Sequence, residues 1–381
     1  MTKFTDGVIE MKVAIAGAGI GGLALAQGLL KAGVEVRVYE RDPSPSFRRQ
    51  GYRIHIGPVG EQALAAVLPE VVRRRVIETA THPGDLVAGF DPQLNQLSER
   101  TFPIGGPDSI TSVDRYAFRR AMMTGLDEVI AFGKEFASCG VVGDGVEIRF
   151  ADGTTEVADV LVGADGVGSR VRAQLLPSFV VHDSGIRCIY GKIPLADAVR
   201  AVAPTAFLRG FCFVNEGVGA GMAFAPVLFR TPPAEYGDYL MAVMTGTAEQ
   251  LGHCDDELFA MSPSELWGLV GKQVADWHPA IRSLVDSADA SAAFAIALRT
   301  CTSVLPWPDG PVVLLGDAVH PMLPSAGAGA NTALWDAARL TSALTGATTL
   351  ASYREEMLAH GMAAVTESLE NGKRMFDLRI E

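Results

Sequence analysis

The sequence predicts an α/β fold: a Rossmann-type parallel sheet bearing a dinucleotide-binding turn, a mostly antiparallel β-sheet unit, and C-terminal helices. Three observations carry this. A strand, a glycine-rich turn, a helix and a second strand follow one another within residues 12–40, which is the pattern of a βαβ unit. From about 183 to 246 the chain alternates apolar and polar residues in the runs RCIYGKI, TAFLRGFCFV, GAGMAFAPVLF and YLMAVMT, as strands of an antiparallel sheet do. At 311–317 PVVLLGD is again a buried, parallel-type strand, so the chain returns to its first sheet near its end.

In order, KVAIA (12–16) is the first strand, LALAQGLLKAG a helix ended by Gly33, and VEVRVYE (34–40) the second strand. A helix is expected at 59–77, excursions or short strands through the Gly- and Pro-rich 81–110, and a helix at 113–126. The stretch 141–165 is β-rich, with Asp-Gly turn signals at 144–145 and 152–153. Helical material is expected at 262–286, a strand at AAFAIAL, and helices at 330–346 and 350–378. The division this predicts is one domain from 1–182 and 300–381, a second from 183–299, and a segment of about 78–107 crossing to the second sheet.

At 381 residues, 48% of them apolar, the chain is long enough to bury more than one core. Its net charge of −12 argues against nucleic acid as a partner. Two basic clusters, Arg48–Arg49 with Arg53 and Arg73–Arg75, are local exceptions. The five cysteines (Cys139, Cys188, Cys212, Cys254, Cys301) are scattered without CxxC spacing, as in a reduced cytoplasm. The opening MTKFTDGVIEMK has no signal-peptide core, and no apolar run reaches the roughly 18 residues of a membrane span. No metal is expected: the one metal-like cluster, His-Cys-Asp-Asp at 253–256, occupies neighbouring positions that rarely converge on one ion.

Three motifs carry chemistry. Gly17-Ala-Gly19-Ile-Gly-Gly22 fits GxGxxG between strand and helix. Its first glycine permits a tight turn, the second lets a pyrophosphate approach, and the third allows close packing. Glu40 ends the second strand, where a carboxylate accepts ribose hydroxyls. The string Asp159-Val-Leu-Val-Gly-Ala-Asp165-Gly-Val-Gly-Ser169-Arg170-Val-Arg172 runs a buried strand into a turn whose Asp and Ser cap the next helix. In GDAVHPMLPSAGAGANTALWDA (316–337), Asp317 sits at the C-terminal end of a strand, where ligands of open α/β sheets bind. The lean loop from Pro324 to Gly329 has room for a planar ring, and the helix beginning near Ala330-Asn331 would stabilise negative charge on it.

In this order the motifs GxGxxG…Glu, GADGxxSxxR and GDAxHxxxPxxGxGxN resemble the FAD-dependent aromatic hydroxylases of the p-hydroxybenzoate hydroxylase type, the class A flavoprotein monooxygenases, over residues 12–346. The resemblance implies an FAD-binding Rossmann-type domain beside a β-sheet substrate domain. It assigns the pyrophosphate to Gly17, Gly19 and Gly22, and the ribose to Glu40 with Arg41 among the cofactor residues. Arg115 in VDRYAFR falls near the FAD, Asp165 in a motif linked to FAD and NADPH, and Asp317 at the ribityl chain. Pro324, Gly327, Gly329, Ala330 and Asn331 face the flavin ring. NADPH or NADH serves as transient reductant, and O2 gives a flavin C4a-hydroperoxide that hydroxylates an aromatic or polyketide-like molecule. Val319 departs mildly from the usual Ala, and the WxWxIP string of flavin-dependent halogenases is absent. Phe211, Phe213, Met222, Phe224 and Met244 are candidates for the pocket wall, His55 for the flavin edge, and Pro324 and His320 for a catalytic role. The alternative on the same fold is a flavin-dependent reductase of an isoprenoid-like alkene.

Overall fold

The structure, a computed structural model, describes residues 3–5, 8–47, 50–106, 108–215, 219–235, 237–376, 378 and 380; the Arg48–Arg49 pair lies outside them. Five parallel strands form one sheet in the order Val312–Leu314, Val160–Gly163, Lys12–Ala16, Glu35–Glu40, Ile130–Phe132. The central strands are apolar on both sides because both faces are covered. The helices Ile20–Lys31, Gly329–Leu344 and Pro58–Val67 pack on one another and into this core. A three-stranded antiparallel sheet, Phe136–Val142, Gly145–Phe150 and Thr155–Ala158, adds Phe136, Val146, Ile148 and Phe150 to it, with Tyr39 and Phe150 rings 4.6 Å apart.

The second sheet has seven strands, ordered Asp289–Thr300, His182–Pro194, Tyr239–Thr247, Gly221–Val227, Gly210–Asn215, Leu86–Phe90, Gln96–Thr101. Every neighbouring pair is antiparallel except Gly210–Asn215 with Leu86–Phe90. The Gly- and Pro-rich stretch after residue 81 thus supplies the last two strands of this sheet. One face lies under helices that include Thr205–Arg209, Pro263–Gln273 and Pro279–Asp286. Trp267 presses against the strand at Gly191, where an added Cβ would come 2.1 Å from the indole ring. The opposite face meets residues of the parallel-sheet body: Tyr52, Ala117 and Leu323 share a core with Tyr190, Ala225 and Met241.

Several expected elements are shorter or divided, each for a local reason. The helix expected at 59–77 is two, Pro58–Val67 and Glu70–Thr79, because Pro69 forces Leu68 into extended backbone. The helix at 262–286 likewise breaks before Pro279. Thr205–Arg209, expected as strand, forms a short helix, and the strand starts only at Gly210. Residues 112–114 are strand, and Asp114 caps the helix Arg115–Met122 by accepting from the Ala117 N–H at 2.8 Å. In the first hairpin the turn is Gly143-Asp144, since Gly145 already pairs with Val142. No helix among the described residues is long and apolar enough to cross a membrane.

Candidate active site

The glycine turn divides its work sterically. Gly17 has φ +110°, and a Cβ there would lie 2.4 Å from the Ala164 carbonyl oxygen. A Cβ on Gly22 would lie 2.1 Å from the Gly17 carbonyl oxygen, so the helix could not approach the turn. Gly19 has nothing within 4 Å of its missing Cβ and opens onto a cleft. It also begins the helix without a side-chain cap, leaving the first N–H groups of Ile20–Lys31 available to an anion.

Glu40, buried at the end of its strand, faces the same cleft. Its Oε2 accepts from the Ala18 N–H and its Oε1 from the Asp42 N–H, both at 2.9 Å. The Arg119 guanidinium sits 3.6 Å from Oε2 and donates through Nε to the Ala18 carbonyl at 2.8 Å. Arg119 was not singled out from the sequence. The available signal was its spacing four residues after Arg115, which puts both on one helix face. Arg41 and Arg115 line the cleft as well.

The turn after Val160–Gly163 lines the opposite side of the cleft with Asp165, Gly166 and Gly168. The Asp165 carboxylate is occupied locally: Oδ2 accepts from the Arg170 N–H at 2.7 Å, and Oδ1 from the Ser169 hydroxyl. Ser169 in turn accepts from the Arg172 N–H at 2.9 Å. What this turn offers a ligand is therefore mostly backbone. Arg172, buried, ties it to the next motif through bonds to Val167 O at 2.7 Å and Ala318 O at 3.0 Å.

At Gly316 (φ +63°) the chain turns out of its strand. Asp317 is half-buried; burial raises its pKa, opposed by the nearby His320 and Arg115 charges. His320 and Asp336 are completely buried, with Nε2 and Oδ2 2.6 Å apart, and the same Oδ2 accepts from the Gly316 N–H at 2.8 Å. Burial pulls the His320 pKa down, but the Asp336 carboxylate outweighs it and holds the imidazole above its ordinary value. This corrects the catalytic expectation for His320: it is completely buried, packs against Gly361 of the last helix and, bonded to Asp336, braces the strand end rather than facing a ligand. Pro324 opens a 3-10 turn that ends at Gly327, φ +61°. The next helix starts at Gly329 without a side-chain cap at Ala328, so the N–H groups of Gly329, Ala330 and Asn331 are free of helical partners. The Asn331 side chain is spent elsewhere. It accepts from the Gly57 N–H at 2.8 Å and donates to His55 O at 3.1 Å and Gly327 O at 3.0 Å. Only the Asn331 backbone remains for a ligand.

The five candidate wall residues do not share a wall. Strand alternation puts Phe211 and Phe213 on the face that meets the parallel-sheet body, the same face as Tyr190 and Phe294 three and four strands along. Met222, Phe224 and Met244 point the other way, into the helix-covered core, and are corrected as wall residues. The pairing of Phe213 with Ala223 and of Val214 with Met222 decides this, and neither pairing can be read from a single strand.

A dinucleotide turn on a parallel sheet, a Gly-Asp strand end over a lean loop, and an aromatic sheet face opposite define a flavoprotein of the oxidoreductase class. The chain belongs to the FAD-dependent monooxygenase family: the model of the FAD binding domain matches residues 10–227 and 275–368. It is 32% identical over 364 residues to 6-hydroxynicotinate 3-monooxygenase of Pseudomonas fluorescens, covering 87% of this chain and 82% of that protein. It is also 32% identical to the dual O-methyltransferase/FAD-dependent monooxygenase elcB of Phaeosphaeria nodorum, over 91% of this chain but only 41% of that longer protein. The solved structure of a candidate FAD-containing monooxygenase from Photorhabdus luminescens superposes with TM-score 0.80 at 30% identity, covering 97% of this chain and 99% of that one.

Proposed function

We propose that this protein is an NAD(P)H- and O2-using monooxygenase that hydroxylates an aromatic or polyketide-like small molecule. One observation supports this most. Leu323, at the head of the Pro324–Gly329 loop, packs in one core with Tyr190, Ala225 and Met241 of the large sheet, so the cofactor loop and an aromatic-walled face adjoin. FAD, when bound, supplies the electron transfer and oxygen activation.

The residues fit that group. Gly17 and Gly22 shape the turn and Gly19 leaves it open, so the three together seat the pyrophosphate. Glu40 and Arg41 serve the ribose, with Arg119 holding the Glu40 carboxylate in place. Arg115 and the backbone around Asp165 complete the cleft wall. Asp317 serves the ribityl chain. Pro324, Gly327, Gly329, Ala330 and the Asn331 N–H serve the ring, where the uncapped helix start favours negative charge. The aromatic face keeps water from the reacting centre. In domain terms, residues 1–182 with 300–381 would form the FAD-binding unit and 183–299 the substrate unit, with 78–107 crossing; the sheet membership of Leu86–Phe90 and Gln96–Thr101 supports the crossing.

The test is a screen of phenols and polyketide-like aromatics for stimulated NADH or NADPH oxidation, with 18O2 as oxygen source. The expected result is one 18O atom in the product. Product formed under anaerobic conditions would overturn the reading in favour of a reductase.

A further inference from the structure

One ion pair joins the two sheet-bearing parts of the molecule. Lys192 belongs to the strand His182–Pro194 of the large sheet, and its Nζ stands 3.5 Å from Oδ2 of Asp114. Asp114 ends the short strand Ser112–Asp114, whose Val113 is buried in the core of the parallel-sheet body. The Tyr239 hydroxyl, from the strand beside that of Lys192, donates to the same Oδ2 at 2.7 Å. The Lys192 ammonium also lies 4.4 Å from the centre of the Tyr239 ring. Gly51 closes the group, since a Cβ on it would stand 2.5 Å from Oδ2 and 2.6 Å from Nζ. Asp114 is completely buried, and a carboxylate in such a place is costly unless partners meet it.

The other oxygen of Asp114 serves the cofactor side. Oδ1 accepts from the Ala117 N–H at 2.8 Å and caps the helix Arg115–Met122. That helix begins with Arg115, which lines the cleft. One turn on, Arg119 sits 3.6 Å from Glu40 Oε2 and donates to the Ala18 carbonyl at 2.8 Å. The Arg115 N–H donates to the Tyr52 carbonyl at 2.9 Å, beside Gly51. A cap alone needs no charge, because Ser, Thr or Asn serves as well. What the carboxylate adds is a second oxygen, and that oxygen goes to the large sheet. One side chain thus ties two residues of that sheet to the helix that brings two cations to the cleft.

We propose that Lys192 and Tyr239 are positioning residues for the cofactor: through Asp114 they fix the helix Arg115–Met122 so that Arg115 and Arg119 stay at the cleft. The sheet that carries the aromatic face thereby sets how tightly the other body holds FAD. The inference rests on the reading that seats FAD in this cleft, and extends it by making the seat depend on residues outside it.

The experiment dilutes FAD-loaded protein through a concentration series and reads released FAD by its fluorescence, in buffer where denaturant curves show each variant fully folded. Asp114→Asn keeps an oxygen for the cap and replaces the other with an amide nitrogen, so it separates the cap from the tie. Lys192→Met removes the cation, Lys192→Arg keeps it, and Tyr239→Phe removes only the hydroxyl. Lys192→Met and Asp114→Asn should each raise the Kd for FAD about tenfold, and Tyr239→Phe about threefold, with Lys192→Arg close to the unmodified protein. In an Arg115→Met background the effect of Lys192→Met should shrink, because one of the cations it positions is already gone. If Lys192→Met does not fold, Tyr239→Phe completes the same cycle. A lowered unfolding midpoint with unchanged Kd, or an equal effect of Lys192→Met in both backgrounds, makes the pair merely structural and overturns the inference. The two readings separate through the cleft residues themselves. Unchanged Kd in Arg115→Met and Arg119→Met sinks the FAD seat, whereas weakened binding there with unchanged Kd in Lys192→Met and Tyr239→Phe sinks only the tie to the large sheet.

Discussion

The two glycine-rich turns of this protein look alike in sequence and work differently. In the turn from Gly17 to Gly22 backbone sterics demand the outer glycines, whose missing Cβ atoms would meet carbonyl oxygens at 2.4 and 2.1 Å. In the loop from Gly327 to Gly329 only Gly327 has positive φ, and a Cβ on Gly329 would meet nothing closer than Met322 Cγ at 3.8 Å. The first turn is built by its own backbone. The second is held from outside, by Asn331 reaching to Gly57, His55 and Gly327 and by the His320–Asp336 pair behind it. A glycine therefore reports either a steric need of the fold or space left for something else, and only its surroundings say which.

The comparison can be broken most severely at Glu40. Glu40→Ala strands the buried Arg119 charge and the N–H groups of Ala18 and Asp42. It should cost about 3–5 kcal/mol and release FAD, read by denaturant unfolding and flavin fluorescence. A stable, flavin-retaining variant would show the first turn does not depend on its carboxylate. Next is Gly22→Ala, whose Cβ meets backbone that cannot yield; the expected loss is about 2–3 kcal/mol with reduced flavin content. Asn331→Ala removes three hydrogen bonds that hold the second loop and should cost about 2 kcal/mol. Its signature is a raised Kd for FAD at an unfolding midpoint still well formed.

Gly329→Ala should change stability by less than about 0.5 kcal/mol, because no protein atom opposes the new methyl. Any loss of flavin affinity in that variant reports the cofactor itself, and a growing loss from Ala to Val would mark the loop as its platform. Destabilisation of the apoprotein by Ala would instead make Gly329 a structural glycine like Gly22. The mildest effect is on pH. The folded His320 pKa is raised above its ordinary 6.5, so its stabilising contribution is full below pH 6.5 and fades as pH rises through the folded value. The gap in denaturation midpoint between the unmodified protein and His320→Gln should narrow over that rise. A gap that stays constant would mean the imidazole braces Gly316 in its neutral form.

Much of the architecture was legible because periodicity and turn chemistry are local. The strand Lys12–Ala16, its turn, and the helix after it needed only neighbouring residues to be recognised, as did Glu40 at the next strand end. Two expected helices are divided, with Pro69 and Pro279 at the start of the second piece in each case, and both prolines are local signals. The roles of Arg119 and Arg172 were not legible because they come from partners 79 and 146 residues away, Glu40 and Ala318.

By itself the sequence determined the order of strand, glycine turn, helix and strand, and with three spaced motifs it determined the family. These rest on backbone conformations that nearby residues dictate, φ at glycine, caps at Asp114 and Ser169, breaks at proline. Only the tertiary structure decided which face of the large sheet each apolar residue takes. It separated Phe211 and Phe213 from Met222, Phe224 and Met244. It also turned His320 into a buried brace. The physical reason is the same in each case. Register, burial and the company of a charge are properties of segments far apart in the chain, and they exist only once those segments have packed.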